Sequence, residues 1–210
     1  MHIIVLTDEG NKEEFKAKKM SADTQVTYIE SLSELINNGL DHTTADAYFL
    51  LKGGINKEDH TILKGKPVFI NAVITTLKEL ELPENFYRIN GWPTFLKRDI
   101  WEVAGENGDA LTIFEKLQWK YISVADEPGL VSARIVSMII NEAWFALGDE
   151  VSTKEEIDIA MKLGTNYPYG PFEWCEKIGL QKVYDLLQKL SETDKRYSVA
   201  PAIKNELTTI

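Results

Sequence analysis

Asp126-Glu-Pro-Gly-Leu-Val-Ser-Ala-Arg134 divides the chain into two kinds of sequence. Pro128 and Gly129 punctuate whatever structure precedes them. Upstream, short apolar runs alternate with short amphipathic ones. Downstream, the apolar residues repeat at helical spacing. The change predicts a Rossmann-like α/β open sheet over residues 1–125 and an all-α domain over 126–210.

Towards the C-terminus, Leu130 to Leu147 is apolar on nearly every side, with Ile135, Val136, Met138, Ile139, Ile140, Ala143, Trp144 and Phe145. A helix without a wet face belongs in a core or at a subunit interface. Thr153-Lys-Glu-Glu156 reads as a capping box, with Gly164 as the stop of that helix. Gly170-Pro171 places proline at a first helical position, and Gly179 ends that segment. Leu180, Val183, Tyr184, Leu187 and Leu190 then recur at helical spacing.

Towards the N-terminus the signal is different. Ile3–Leu6, Val26–Ile29, Tyr48–Leu51 and Val68–Ile70 are compact and β-branched or aromatic, as strands buried on both faces of a parallel sheet are. Phe86–Ile89, Ile100–Val103 and Tyr121–Val124 extend the sheet. Between the strands, Gly10–Met20, Ser31–Asn38, Ile74–Leu80 and Asp109–Gln118 are expected helices.

The chain has 210 residues, 44% hydrophobic and 27% charged, and a formal net charge of −10. Nucleic-acid binding leans on Lys and Arg neutralising phosphates, so that class is excluded. No stretch reaches the ~20 apolar residues of a membrane span. The N-terminal apolar run is too short for a signal peptide, and a cytoplasmic location is expected. Cys175 is the only cysteine and reads as a buried structural thiol. No metal site is expected.

A dinucleotide fold leads its first strand into a glycine-rich turn, where bare backbone meets pyrophosphate at a helix N-terminus. Here the turn is Leu6-Thr-Asp-Glu-Gly10-Asn, with one glycine and with Asp8 and Glu9 where the anion would dock. Each carboxylate opposes binding by on the order of a kcal/mol. Glu30, at the end of the second expected strand, stands where such folds place the acid that bonds the ribose.

The helical half resembles the C-terminal domain of the 3-hydroxyacyl-CoA dehydrogenases. The elements that carry the resemblance are Asp126-x-Pro-Gly-Leu, Arg134, Asn141-Glu-Ala, Glu156-Ile-Asp158, Ala160-Met-Lys-Leu-Gly164, Tyr167-Pro-x-Gly-Pro-Phe-Glu173 and Ile178-Gly-Leu180. The first 125 residues resemble the family's Rossmann domain only loosely and are shorter. The resemblance implies oxidation of the 3-hydroxyl of an acyl-CoA by NAD, with a histidine base, a glutamate that orients it, and a serine and an asparagine on the substrate. It also implies a homodimer through the helical domain, with the Leu130–Leu147 helix at the interface and Trp144, Phe145, Phe172 and Trp174 as anchors.

Carried over one residue at a time, the glutamate corresponds to Glu102. The serine-bearing turn corresponds to Phe69–Thr76, where Thr75 or Thr76 supplies a hydroxyl and Asn71 an amide. The histidine segment corresponds to Gly91-Trp-Pro-Thr-Phe95, which holds no histidine, and the asparagine position is Ala133. His2, His42 and His60 fall elsewhere and read as surface residues. Three readings follow. The first is a family member without NAD-dependent activity that keeps an acyl-CoA or other small-ligand cleft. The second is a divergent active NAD-dependent dehydrogenase of fatty-acid metabolism. The third is an assembly module.

Overall fold

In the computed structural model, which describes residues 1–37, 44–53, 63, 65–105 and 108–209, each upstream apolar run becomes a strand. The strands are β1 (His2–Leu6), β2 (Gln25–Ile29), β3 (Ala47–Leu50), β4 (Val68–Asn71), β5 (Phe86–Ile89), β6 (Ile100–Ala104) and β7 (Lys120–Ser123). They form one sheet in the order β2-β1-β3-β4-β5-β6-β7. All neighbours are parallel except β5 and β6, which are antiparallel. Helices α1 (Glu9–Lys16), α2 (Ser33–Asn37) and α3 (Asp109–Leu117) connect them.

Successive side chains on a strand point to opposite faces, so continuous apolar runs fill two cores. One holds Val5, Phe49, Phe69, Tyr87 and Trp101 with Phe15 from α1 and Phe114 from α3. Its rings are close, with Phe49 stacked on Phe69 at 4.7 Å. The other face holds Ile4, Leu6, Tyr48, Leu50, Ile70 and Phe86. Because β1 lies between β2 and β3, the strand order reverses there, and a crevice opens beyond the carboxyl ends of these strands.

Three sequence expectations need correction. Ile74–Leu80 is a run of turns, not a helix, because backbone groups at 72, 73, 77 and 78 bond to Arg88 and Asp126 instead of to each other. Helix α1 ends at Lys16 rather than Met20. Beyond it, Lys18 Nζ reaches Arg98 O at 2.7 Å, and Lys19 O accepts Trp119 Nε1 at 2.7 Å. In the second half, Gly164 does not stop its helix; the left-handed residue is Asn166, with φ 56°.

The chain divides into two compact units, Met1–Leu130 and Val131–Ile210, so Asp126–Gly129 belongs to the first. The second contains α4 (Ser132–Gly148), α5 (Lys154–Thr165), α6 (Pro171–Ile178), α7 (Leu180–Ser191), a 3₁₀ turn (Lys195–Tyr197) and α8 (Pro201–Thr209). Helix α4 packs on α6, α7 and α8. The Thr153 capping box and Pro171 at the start of α6 are as the sequence implies. Among the described residues no helix is long and apolar enough to cross a membrane.

Candidate functional site

At the carboxyl ends of β1, β2 and β3 lies a cleft of about 420 Å³, lined by Thr7, Asp8, Glu9, Lys12, Tyr28, Ile29, Glu30, Glu34 and Lys52. Donors around it are engaged by the chain's own carboxylates and carbonyls, with the Thr7 hydroxyl on Asp8 O at 2.9 Å and Lys52 Nζ on Glu30 O at 3.4 Å. Asp8 is the N-cap of α1, accepting from Asn11 N at 2.9 Å. Glu9 takes Lys12 Nζ at 2.9 Å, and that hydrogen bond holds the Glu9 carboxyl below its ordinary value. Glu34 accepts from the backbone N–H groups of Glu30 and Ser31 at 2.7 and 2.9 Å. Glu30 itself is exposed at the cleft wall. A pyrophosphate at α1 would have to displace the Asp8 cap and sit beside Glu9. The residues at this turn do not fit a dinucleotide.

Beyond the ends of β4 and β5, the side chains nominated from the sequence separate. Asn71 donates from Nδ2 to Leu51 O and Gly91 O, each at 3.1 Å, and accepts from Gly91 N at 3.0 Å. Its amide ties together the ends of three strands. A Cβ on Gly91 would overlap Asn71 at 2.6 Å, which is why glycine stands there. The Thr76 hydroxyl donates to Glu79 Oε2 at 2.9 Å, and Thr76 N donates to the same oxygen at 2.8 Å. Thr75 is half-buried in the same loop.

Arg88, which the sequence reading missed, organises this region. It is 0% exposed, and its guanidinium donates to Ala72 O at 2.6 Å, Val73 O at 2.8 Å, Glu127 O at 3.3 Å and Asp126 Oδ1 at 2.6 Å. Burial pushes Arg88 down from its ordinary pKa, and the bond and charge of Asp126 oppose that. Asp126 also accepts from Leu77 N at 2.9 Å. One ion pair thus fixes loop 72–78 against segment 126–129. A lone arginine in the otherwise apolar Phe86-Tyr-Arg-Ile89 is the signal that could have found it.

The segment aligned with the histidine is built from apolar and strained residues. Trp92, Thr94 and Phe95 are buried. Thr94 lies at φ 80°, where a β-branched residue is strained, and its N–H donates to Glu14 Oε1 at 2.7 Å. Strands β5 and β6 pair Arg88 with Ala104 and Ile89 with Val103. Carried one residue further, that register sets Asn90 opposite Glu102. Asn90 is 8% exposed, and Oδ1 accepts from Trp92 N at 3.2 Å. Glu102 is half-buried, and its charge offsets the lowering that burial imposes on Arg98. Neither Asn90 nor any residue of Gly91–Phe95 carries a side chain that accepts a proton near neutral pH. His2 is bonded at its two ring nitrogens to Thr44 and Thr27, at 3.2 and 2.9 Å, while His42 and His60 lie outside the described residues. Among the described residues no cluster of three His, Cys, Asp or Glu could hold a metal.

In the helical unit, the motif residues bond to one another. Asp158 is 7% exposed and accepts from Phe172 N at 2.8 Å and Glu173 N at 3.0 Å, capping α6 from outside. A Cβ on Gly170 would fall inside the Asp158 carboxylate, so only glycine lets the two segments meet. Asn141 donates to Ser198 O and accepts from Ala200 N, each at 2.9 Å. The expected interface anchors Trp144, Phe172 and Trp174 are core residues, at 4%, 5% and 4% exposure. Cys175 is buried as expected, and burial pushes its thiol up to about 11, with the Trp144 indole opposing.

Residues 129–208 match the family model of the 3-hydroxyacyl-CoA dehydrogenase C-terminal domain. The 3-hydroxyadipyl-CoA dehydrogenase of Escherichia coli K12 is 48% identical over 69 residues, which are 33% of this chain and 14% of that protein. A 3-hydroxybutyryl-CoA dehydrogenase of Bradyrhizobium diazoefficiens is 28% identical over 205 residues, covering 91% of this chain and 69% of the relative. The crystal structure of (S)-3-hydroxybutyryl-CoA dehydrogenase from Ralstonia eutropha superposes with a TM-score of 0.72 at 18% identity, over 99% of this chain and 93% of that one. At that identity the superposition speaks for the fold alone. The motif residues of the helical unit and these matches agree: residues 129–208 are similar to the C-terminal domain of the 3-hydroxyacyl-CoA dehydrogenases.

Proposed function

We propose that this chain holds an acyl thioester without carrying out normal NAD-dependent hydride transfer. The observation that carries this reading is the Asp8 cap on α1, which fills the helix terminus a dinucleotide would need. Hydride transfer from a 3-hydroxyl also needs a titratable base within hydrogen-bond reach. The lack of a histidine in Gly91–Phe95, the segment aligned with the family's base, supports the same reading. A thermal-shift series with NADH, coenzyme A and acetoacetyl-CoA tests it, since a ligand of the native state raises the melting point. Acetoacetyl-CoA is expected to stabilise the protein and NADH is not. Steady oxidation of NADH with acetoacetyl-CoA would overturn the proposal.

The competing reading, a divergent active dehydrogenase of fatty-acid metabolism, draws support from Glu102, retained and half-buried on β6. It requires a rate that Glu102→Gln lowers. The proposed setting is the cytoplasm, as a homodimer through the helical unit. Ile135, Ile159 and Leu163 support the dimer, being 54%, 54% and 83% exposed on α4 and α5. A monodisperse monomer in sedimentation at micromolar concentration would end that part.

A further inference from the structure

Trp92-Pro-Thr-Phe95 closes a tight turn just past the carboxyl end of β5. Phe95 N donates to Trp92 O at 3.0 Å, which leaves Pro93 and Thr94 at the two central positions. Proline suits the first of them, since its ring already holds the φ required there. The second lies at φ 80°, the left-handed value that a type II turn assigns to glycine, and here it carries the β-branched Thr94. A further cost sits beside it. Thr94 N donates to Glu14 Oε1 at 2.7 Å, while Glu14 Oε2 is shut off from solvent and meets no hydrogen-bond partner among the described residues. Buried polar atoms without a partner are uncommon and call for a reason. Backbone strain and an unmet acceptor thus fall on the two sides of one contact.

We propose that residues 92–95 form a strap that swings off the sheet edge as a unit, with the Glu14–Thr94 bond as its latch. In the open state Thr94 leaves the left-handed region and both Glu14 oxygens meet water, so the two costs vanish together. The closed state is held by the latch and by burial of Trp92, Thr94 and Phe95, at 4%, 8% and 3% exposure. Opposed contributions of this kind bring two arrangements close in free energy. Both ends of the strap are anchored. Upstream, Asn71 holds the Gly91 carbonyl and N–H at 3.1 and 3.0 Å. Downstream, Lys18 Nζ holds Arg98 O at 2.7 Å. Movement is thereby confined to the residues between. Opening uncovers the carboxyl end of β5, on the edge of the sheet where open α/β folds take ligands. Lids at such places come from the segments that open most easily. This motion needs no ligand, so it is independent of the acyl-thioester reading.

Amide hydrogen exchange read by peptide mass spectrometry on wild type, Thr94→Gly and Glu14→Ala tests the strap. In wild type the amides of Trp92, Thr94 and Phe95 are expected to exchange about a hundredfold faster than those of β4 and β5, despite comparable burial. Thr94→Gly relieves the left-handed position and should slow exchange across the strap about tenfold. Glu14→Ala leaves the Thr94 N–H without its acceptor and should speed it about fivefold. Amides of β4 and β5 should keep their rates in both variants. Melting curves check folding; if Glu14→Ala does not fold, Thr94→Gly decides alone. Wild-type exchange of the strap in step with β5 overturns the proposal. So does a shift of strap and strands by one common factor in the variants, which would make Thr94 and Glu14 general stability positions.

Discussion

The two units keep their family likeness for different reasons. In the helical unit the motif residues serve one another: Asp158 caps α6, Gly170 makes room for that carboxylate, and Asn141 clips Ser198 to Ala200. None of these contacts needs a substrate, so the pattern persists wherever the packing does. In the α/β unit, a position that would serve a cofactor or a proton transfer is free to change once packing no longer depends on it. The first turn carries Asp8 and Glu9, and the segment after β5 carries Trp92 and Thr94. Likeness in sequence therefore tracks what holds the chain together more closely than what the chain does.

That contrast can be broken most forcefully at Arg88. Arg88→Met takes one donor from the Asp126 carboxylate and one from each of three carbonyl oxygens; removing one partner of a buried ion pair costs about 3–5 kcal/mol, and the partial exposure of Asp126 puts the cost at about 3 kcal/mol. Urea unfolding followed by tryptophan fluorescence reads the loss. A cost under about 1 kcal/mol would mean the α/β unit is not organised around this pair. In the helical unit Gly170→Ala should cost about 1–3 kcal/mol by overpacking. Asp158→Ala should cost about 1 kcal/mol as a lost cap. The double variant should fall short of the sum, because removing the carboxylate makes room for the methyl; strict additivity in chemical denaturation would contradict the shared contact. The smallest effect is expected at the cleft. Asp8→Gly should change stability by only a few tenths of a kcal/mol. Relief of one like charge should also strengthen weak NADH association by roughly fivefold, as fluorescence titration would show. No change in that association would shift the blame from Asp8 to Glu9 and Glu30.

The central strands were legible because short apolar runs such as Tyr48–Leu51 are satisfied by burial on both faces, and the chain supplies polar turns around each. The capping box at Thr153 and the proline at 171 were legible because their partners lie within a few residues. What escaped depends on distant partners. Ile74, Leu77 and Leu80 have helical spacing, yet Asp126, 49 residues from Leu77, takes the amide that a helix would have used. Asn71 was nominated as a substrate contact because its turn, Phe69–Thr76, corresponds to the serine-bearing turn of the family it resembles. Only the fold shows Leu51 and Gly91 converging on its amide. Asp8 was legible as a charge and illegible as a cap.

The cap on α1 has a consequence for how the first unit forms. A Rossmann helix whose leading amides wait for a nucleotide gains stability only in proportion to ligand supply, whereas a carboxylate one residue upstream arrives with the nascent chain. The α/β unit can then mature at the same pace in nucleotide-poor and nucleotide-rich surroundings.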